Sequence, residues 1–348
     1  MEEEMGTGED PRLSRYHRQM LFAPIGEEGQ RRLGAARVGL VGCGALGSVV
    51  AGHLVRAGVG YLRIVDRDFL ELNNLQRQAL FTEADVEQRT PKAVAAAEHL
   101  RRINSDVVVE PRVADVNPFS IVSFAEGLDV LVDGTDNFLT RFLVNDYCVS
   151  RGVPWVYGGV IMAGGMTMTF TPGDGPCLRC VFPELPGPGS TPTCDTVGVL
   201  NTAVGVVASL EANEVFKLLV DPAARNRELL TLDVWDLTFE SVRVARDPEC
   251  PACGRREFPF LEATREESAV SLCGRDAFQI VPRTDAALDL EGLGTRLRAV
   301  GEVRATPFLL EVDVEGKRLT VFPDGRAIVK GTDDVSAARV LYARYIGL

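Results

Sequence analysis

The chain has 348 residues, with 46% hydrophobic and 25% charged side chains. That suits a globular protein of two domains at roughly 150 residues each and excludes disordered, collagen-like and coiled-coil classes. Its 49 acidic and 37 basic residues leave a net charge of −12, which argues against nucleic acid and anionic membranes as partners. No run of about 18 uninterrupted apolar residues occurs, so no membrane span is expected. Eight cysteines and three histidines point to metal or redox chemistry in a reducing cytoplasm, with little reliance on imidazole. Glu2, Glu3, Glu4, Glu9 and Asp10 mark residues 1–13 as an acidic, disordered tail unlike a signal peptide.

Residues 14–34 read as an amphipathic helical arm. Residues 36–41 form a short strand, followed at once by Gly42-Cys43-Gly44-Ala45-Leu46-Gly47 and a stretch with helical spacing. Residues 61–65 are a second strand that ends at Asp66. Gly42 and Gly44 let the backbone turn tightly toward a phosphate, and Gly47 permits close helix packing. The helix N-terminus offers unpaired N–H groups. An acid about 20 residues past such a loop takes a ribose hydroxyl. This fingerprint indicates an adenine nucleotide, and NAD would satisfy it as well as ATP.

The next segment distinguishes the two. Residues 66–78 are dense in polar groups, Thr90-Pro91-Lys92 starts a helix, and strands at 107–109 and 130–132 follow. The latter runs into Asp133-Gly134-Thr135-Asp136-Asn137. Ligands of an open parallel sheet sit beyond the carboxyl ends of the strands. Asp66, Asp68 and Asp136 occupy such ends, and Arg77 and Lys92 can reach the same crevice. Several acids and two bases suit a triphosphate with Mg²⁺ better than a nicotinamide.

Residues 155–170 read as strands with glycine breaks. Gly158, Gly159, Gly164 and Gly165 either admit a passing peptide tail or are ordinary bulges. Cys177-Leu178-Arg179-Cys180 and Cys250-Pro251-Ala252-Cys253 are two knuckles whose thiolates favour one tetrahedral, structural Zn²⁺ over a redox pair. Cys194 lies in a proline- and glycine-rich loop, 183–196, that should not pack as a helix; its thiol is either a nucleophile or a small loop residue. Cys148 reads as a buried helix cysteine. A long helix is expected over 201–219 and a linker over 255–268. Residues 269–348 read as a small βαβββα unit for docking or dimer stabilisation.

The motifs RYHRQ (15–19), GCGALG (42–47), VDRDFLELNNLQRQ (65–78), TPK (90–92) and DGTDN (133–137), with the paired cysteines, resemble the MoeB/ThiF/HesA family over about residues 14–256. These are bacterial relatives of ubiquitin-activating enzymes. The resemblance implies adenylation, with Mg-ATP, of the C-terminal glycine of a ubiquitin-like sulfur-carrier protein ending in Gly-Gly, with release of pyrophosphate, for molybdopterin or thiamine synthesis. It implies Asp66 on the ribose, Arg77 and Lys92 on the phosphates, and Asp136 on magnesium as the key acid. Asn74 and Gln78 match further polar positions of the ATP site. Arg18 matches an arginine that reaches the neighbouring protomer's site, which implies a homodimer. Cys194 matches a loop cysteine that in some members bonds covalently to the carrier. The expected fold is α/β: a Rossmann-like mixed sheet flanked by helices and pinned by zinc over 14–256, then a small C-terminal α+β domain over 269–348. The alternatives are an NAD-dependent oxidoreductase, a non-catalytic nucleotide-binding module, or activation of another peptide or small protein.

Overall fold

The computed structural model describes residues 11–187, 194–262, 269–272, 277–280, 288–332 and 334–347. The acidic residues 1–10, part of the proline-rich loop, the end of the expected linker and Cys273 lie outside these. Two units are resolved, 1–262 and 263–348.

The first unit is built on an eight-stranded sheet. Its strands are β1 (Arg37–Val41), β2 (Tyr61–Val65), β3 (Val108–Arg112), β4 (Val130–Asp133), β5 (Trp155–Ile161), β6 (Gly164–Phe170), β7 (Leu229–Asp233) and β8 (Thr238–Val242), in the order β3-β2-β1-β4-β5-β6-β7-β8. The first five pair in parallel and the rest antiparallel. The order reverses at β1, between β2 and β4, which opens a crevice at the carboxyl ends of those strands. β1, β2 and β4 are almost wholly buried, as strands covered on both faces must be. On one face Val38, Leu40, Ile64 and Val132 pack with the helices Ala45–Ala57, Lys92–Ile103 and Asn201–Val220. On the other, Val41, Leu131, Trp155, Tyr157 and Phe170 pack with the helices Ser120–Ala125 and Phe138–Arg151.

Several expectations are corrected. The arm is not one helix: a 3-10 turn (Pro11–Tyr16) and the helices His17–Met20 and Gly26–Ala35 replace it. Pro24 has no N–H with which to continue the first helix, and Gly26 takes φ +55°. Pro11–Leu13 belong to that turn rather than to the tail. The glycines of β5 and β6 do not break the strands; they lie inside a regular hairpin, with Gly158 opposite Thr167 and Val160 opposite Gly165. Cys194 opens a one-turn helix, Cys194–Val197, because the proline constraint ends at Pro192.

The second unit is a six-stranded sheet, all antiparallel. Its strands are β9 (Ala269–Leu272), β10 (Ala277–Ile280), β11 (Glu302–Ala305), β12 (Leu310–Val314), β13 (Lys317–Val321) and β14 (Ala327–Lys330), in the order β11-β12-β13-β14-β10-β9. The helices Leu290–Leu297 and Val335–Tyr345 cover one face, over Leu310, Val312, Leu319, Val321 and Val329. β9 and β11 add two strands to the expected pattern, which makes the unit ββαββββα. Among the described residues no helix is long and apolar enough to cross a membrane.

Candidate active site

The crevice is built around three glycines that touch. Gly42 follows β1 with φ +86°, and its N–H donates to the Val65 carbonyl at 2.8 Å. A Cβ at Gly47 would lie 2.2 Å from the Gly42 carbonyl oxygen, and one at Gly134 2.3 Å from the same atom. These glycines let the loop after β1, the first turn of its helix and the loop after β4 cross. Gly44 is different. A Cβ there would meet only the Gln78 Nε2, at 3.8 Å. Its bareness serves no internal packing and leaves open the approach to the N-terminus of Ala45–Ala57.

Asp66, the first residue past β2, is buried and holds the loop. Its Oδ2 accepts the Cys43 N–H at 2.7 Å and its Oδ1 the Asp68 N–H at 2.7 Å. Burial pushes its carboxyl up, against the pull of Lys92 and these two N–H groups. Lys92 opens its helix, buried, with Nζ 3.3 Å from Asp68 Oδ2. Burial opposes its charge, but Asp66, Asp68 and Asp136 outweigh that and raise its pKa. A desolvated cation fixed at a crevice of this kind is suited to phosphate. Asn74 is buried; its Oδ1 accepts the Glu71 N–H at 3.1 Å, so it shapes the segment between β2 and Lys92. Arg77 is half-buried, with Nη1 donating to the Asn73 carbonyl at 2.9 Å. Gln78 is 4% exposed, and its Oε1 meets no partner among the described residues. An orphaned acceptor beside an open glycine is suited to a polar ligand.

Asp136 stands exposed in the loop after β4, where an oxygen ligand for a hard cation can keep water. Asp133, at the end of β4, is turned inward: Oδ1 accepts the Thr135 N–H and hydroxyl at 2.8 and 2.7 Å, and Oδ2 accepts Arg141 Nε at 2.7 Å. Sequence reasoning quoted Asp133 within a motif without a role and did not single out Arg141. The available signal was an acid closing the apolar strand Val130–Asp133 and an arginine one helical turn into an apolar helix.

Arg18 does not enter its own chain's crevice. Its short helix docks at the far end of Ala45–Ala57: Gln19 Nε2 donates to the Ala57 carbonyl at 3.1 Å, and the Tyr16 hydroxyl accepts from Asn104 Nδ2 at 2.8 Å. Thirteen residues of helix separate that end from the glycine loop, about 20 Å at 1.5 Å per residue.

The four paired cysteines converge although the two knuckles are remote in sequence. Their sulfurs all lie within 4.8 Å of one another, with Cys177–Cys250 at 3.6 Å and Cys180–Cys253 at 3.5 Å. Tetrahedral thiolates around Zn²⁺ at ~2.3 Å are separated by about 3.8 Å. Asn145 supports the first knuckle, accepting the Leu178 N–H at 2.9 Å. Cys43, Cys148, Cys177, Cys180, Cys250 and Cys253 are free thiols, none in a disulfide.

The ThiF family matches residues 16–252. The chain belongs to the ThiF family. It is 43% identical over 336 residues to the "Sulfur carrier protein ThiS adenylyltransferase" of Bacillus subtilis, covering 96% of this chain and 99% of that one. It is 45% identical over 263 residues to the "SAMP-activating enzyme E1" of Haloferax volcanii, covering 75% of this chain and 96% of the relative. A solved structure titled "Crystal structure of E. coli MccB + ATP" shares the fold at TM-score 0.61 and 23% identity, over 72% of this chain and 75% of that one. ThiF membership implies ATP use. The match to the Bacillus relative extends over the second unit as well, beyond residue 252.

Proposed function

We propose that this protein adenylates the C-terminal glycine of a ubiquitin-like sulfur-carrier protein, for thiamine or molybdopterin synthesis. The observation that carries this is the charged crevice at the β1/β4 switch of a ThiF-family chain, with Lys92 held as a buried cation and Gly44 left open. The carrier's glycine carboxylate attacks the α-phosphorus of ATP. An O–P bond forms, the bond between the α-phosphorus and its bridge to the β-phosphate breaks, and pyrophosphate leaves with the electron pair. The nucleophile is ionised at neutral pH, so no general base is needed.

The barrier is electrostatic: like charges about 4 Å apart repel by ~4 kcal/mol at an effective dielectric near 20. Lys92 and Arg77 offset it from the phosphate side, and the loop N–H groups hold the nucleotide. Asp66, fixed by Cys43 and Asp68, retains lone pairs for the ribose. Gln78 offers its orphaned carboxamide oxygen to the same ligand. Mg²⁺ on Asp136 would neutralise phosphate charge. Cys177, Cys180, Cys250 and Cys253 would hold a Zn²⁺ whose role would be structural, since the protein would supply all four ligands. Arg18 serves the site of a second copy, which makes the working form a homodimer. Cys194 is proposed as the residue that takes up the carrier after adenylation: its thiolate attacks the carrier's acyl-adenylate carbonyl, a C–S bond forms, the C–O bond to phosphate breaks, and AMP leaves with the electron pair. The charged crevice and the family favour this reading over a nicotinamide enzyme.

The test is ATP–pyrophosphate exchange with magnesium, adding carriers that end in Gly-Gly one at a time. Exchange that appears with one carrier and vanishes when its last glycine is removed is the expected result. Equal exchange without any carrier would overturn it.

A further inference from the structure

The helix Asn201–Val220 lies along the sheet with an apolar row of Val204, Val207, Ala208, Ala212 and Val215 buried against it. Glu211 interrupts that row. It is 0% exposed, and among the described residues neither carboxyl oxygen meets a hydrogen-bond partner. Its carboxyl presses on the backbone of β5: a Cβ at Gly158 would come 2.3 Å from Glu211 Cδ and Oε1. Residue 158 is therefore glycine because the glutamate occupies its side-chain space.

The carbonyl of Gly158 accepts Arg141 Nη2 at 2.9 Å. The same nitrogen donates to the Thr135 carbonyl at 2.7 Å, and Nε to Asp133 Oδ2 at 2.7 Å. One guanidinium thus ties together the end of β4, the turn that leads to Asp136, and β5. Charged and titratable groups act on Glu211 from three elements: Asp133 from β4, Tyr157 from β5 and Arg141 from Phe138–Arg151. The charged and titratable groups of the other helices packed on Asn201–Val220 meet it away from Glu211, His53 at the exposed Ser209 and Arg32 at the Val220 carbonyl. On its own helix, Glu214 pairs with Lys217 at 2.6 Å. Burial pushes the Glu211 carboxyl well above the ordinary carboxylate range, Asp133 adds to that, and Arg141 opposes it. A buried carboxylate without a donor is strongly disfavoured, so the neutral acid is the form that fits here.

We propose that Glu211 is a positioning residue held as the neutral acid: it supports β5 at Gly158 and leaves Arg141 undivided between Asp133, Thr135 and Gly158, so that the Asp136 turn and β5 stay in register. Ionisation sets two buried carboxylates against one guanidinium and draws Arg141 from its carbonyls. The catalytic consequence rests on the adenylation reading; the structural one does not.

The experiment compares the full chain with Glu211→Gln, which keeps the shape of the neutral acid. The infrared difference between the two at about pH 7 shows the C=O stretch of a protonated carboxyl. Its absence overturns the proposal. Hydrogen exchange read by mass spectrometry, corrected for the intrinsic pH dependence of amides, shows protection at 135–141 and 157–161 falling about tenfold for each unit above the Glu211 pKa in the wild type, and persisting in Glu211→Gln. Equal loss in both proteins overturns it. Where Glu211→Gln melts below the assay temperature, the infrared titration of the wild type decides: the band must disappear at alkaline pH together with the protection. Pyrophosphate exchange loses kcat over the same alkaline range in the wild type, with the limb displaced in Glu211→Gln. A wild type with no exchange at any pH counts against adenylation, and the infrared band and hydrogen exchange then decide the role of Glu211 by themselves.

Discussion

Asp136 and Asp133 are three residues apart and opposite in character. Asp133 is buried and fully engaged by Thr135 and Arg141, whereas Asp136 is exposed. Asp136→Ala is therefore expected to lower pyrophosphate exchange by about 10²–10³-fold while leaving the melting curve within ~0.5 kcal/mol of wild type. A large loss of stability would show a structural role instead. Asp146 presents the reverse case. It is buried in Phe138–Arg151, where its carboxylate accepts the Phe260 N–H at 3.2 Å. Burial raises its pKa to about 6, against the pull of that N–H and of Arg179. A carboxyl whose pKa is raised on folding contributes stability below its unfolded pKa, and loses it as pH rises through about 6. Asp146→Asn should thus be more stable than wild type at about pH 7 by roughly 1–3 kcal/mol and equal to it below about pH 4; parallel melting profiles across that range would contradict the assignment. The sequence made Asp66 and Asp136 conspicuous because charge stood at strand ends, and Lys92 because a Thr-Pro-Lys helix start follows the polar segment after β2. Asp133 and Arg141 escaped because a buried ion pair looks, residue by residue, like any other acid and base.

At the scale of elements, two constructions hold the site. The first is the three-glycine crossing. Gly47→Ala forces its Cβ onto the Gly42 carbonyl, and should destabilise the unit by about 1–3 kcal/mol and abolish nucleotide binding measured by calorimetry. Gly44→Ala meets no such obstacle, so it should keep its stability and weaken the nucleotide alone. Equal melting losses in the two variants would show that both glycines serve packing. The second is the cysteine cluster, which joins the knuckle after β6 to the one after β8. About one zinc per chain is expected by elemental analysis, and Cys177→Ser should lose it together with several degrees of melting temperature. Full zinc content in that variant would refute four-cysteine ligation. The spacing of each pair was readable in the sequence. That the pairs meet was an inference from chemistry, and the hairpin geometry of β5 and β6 was not readable, since glycine in a strand weakens every local signal.

The whole molecule bears on Arg18. Its helix is anchored at the opposite end of Ala45–Ala57 from the glycine loop, so a role in catalysis requires a second chain. Arg18→Ala and Asp136→Ala should each be inactive, and mixing them should restore about one quarter of wild-type exchange, since half of randomly formed dimers carry one intact site of two. No recovery on mixing, with exchange of subunits verified, would place Arg18 in a structural role. The nucleotide-binding architecture, the order of its motifs and the two cysteine knuckles are legible in the amino-acid order, because glycine loops, strand-end acids and Cys-x-x-Cys turns are local devices whose chemistry depends on near neighbours. Which glycines pack and which stay open, the distance of Arg18 from its own crevice, and the place of Glu211 behind Gly158 emerge with the folded chain alone. Those facts depend on where remote segments meet, and burial, which sets the protonation of Glu211 and the pairing of Asp133 with Arg141, exists only once the sheet and its helices have closed around them.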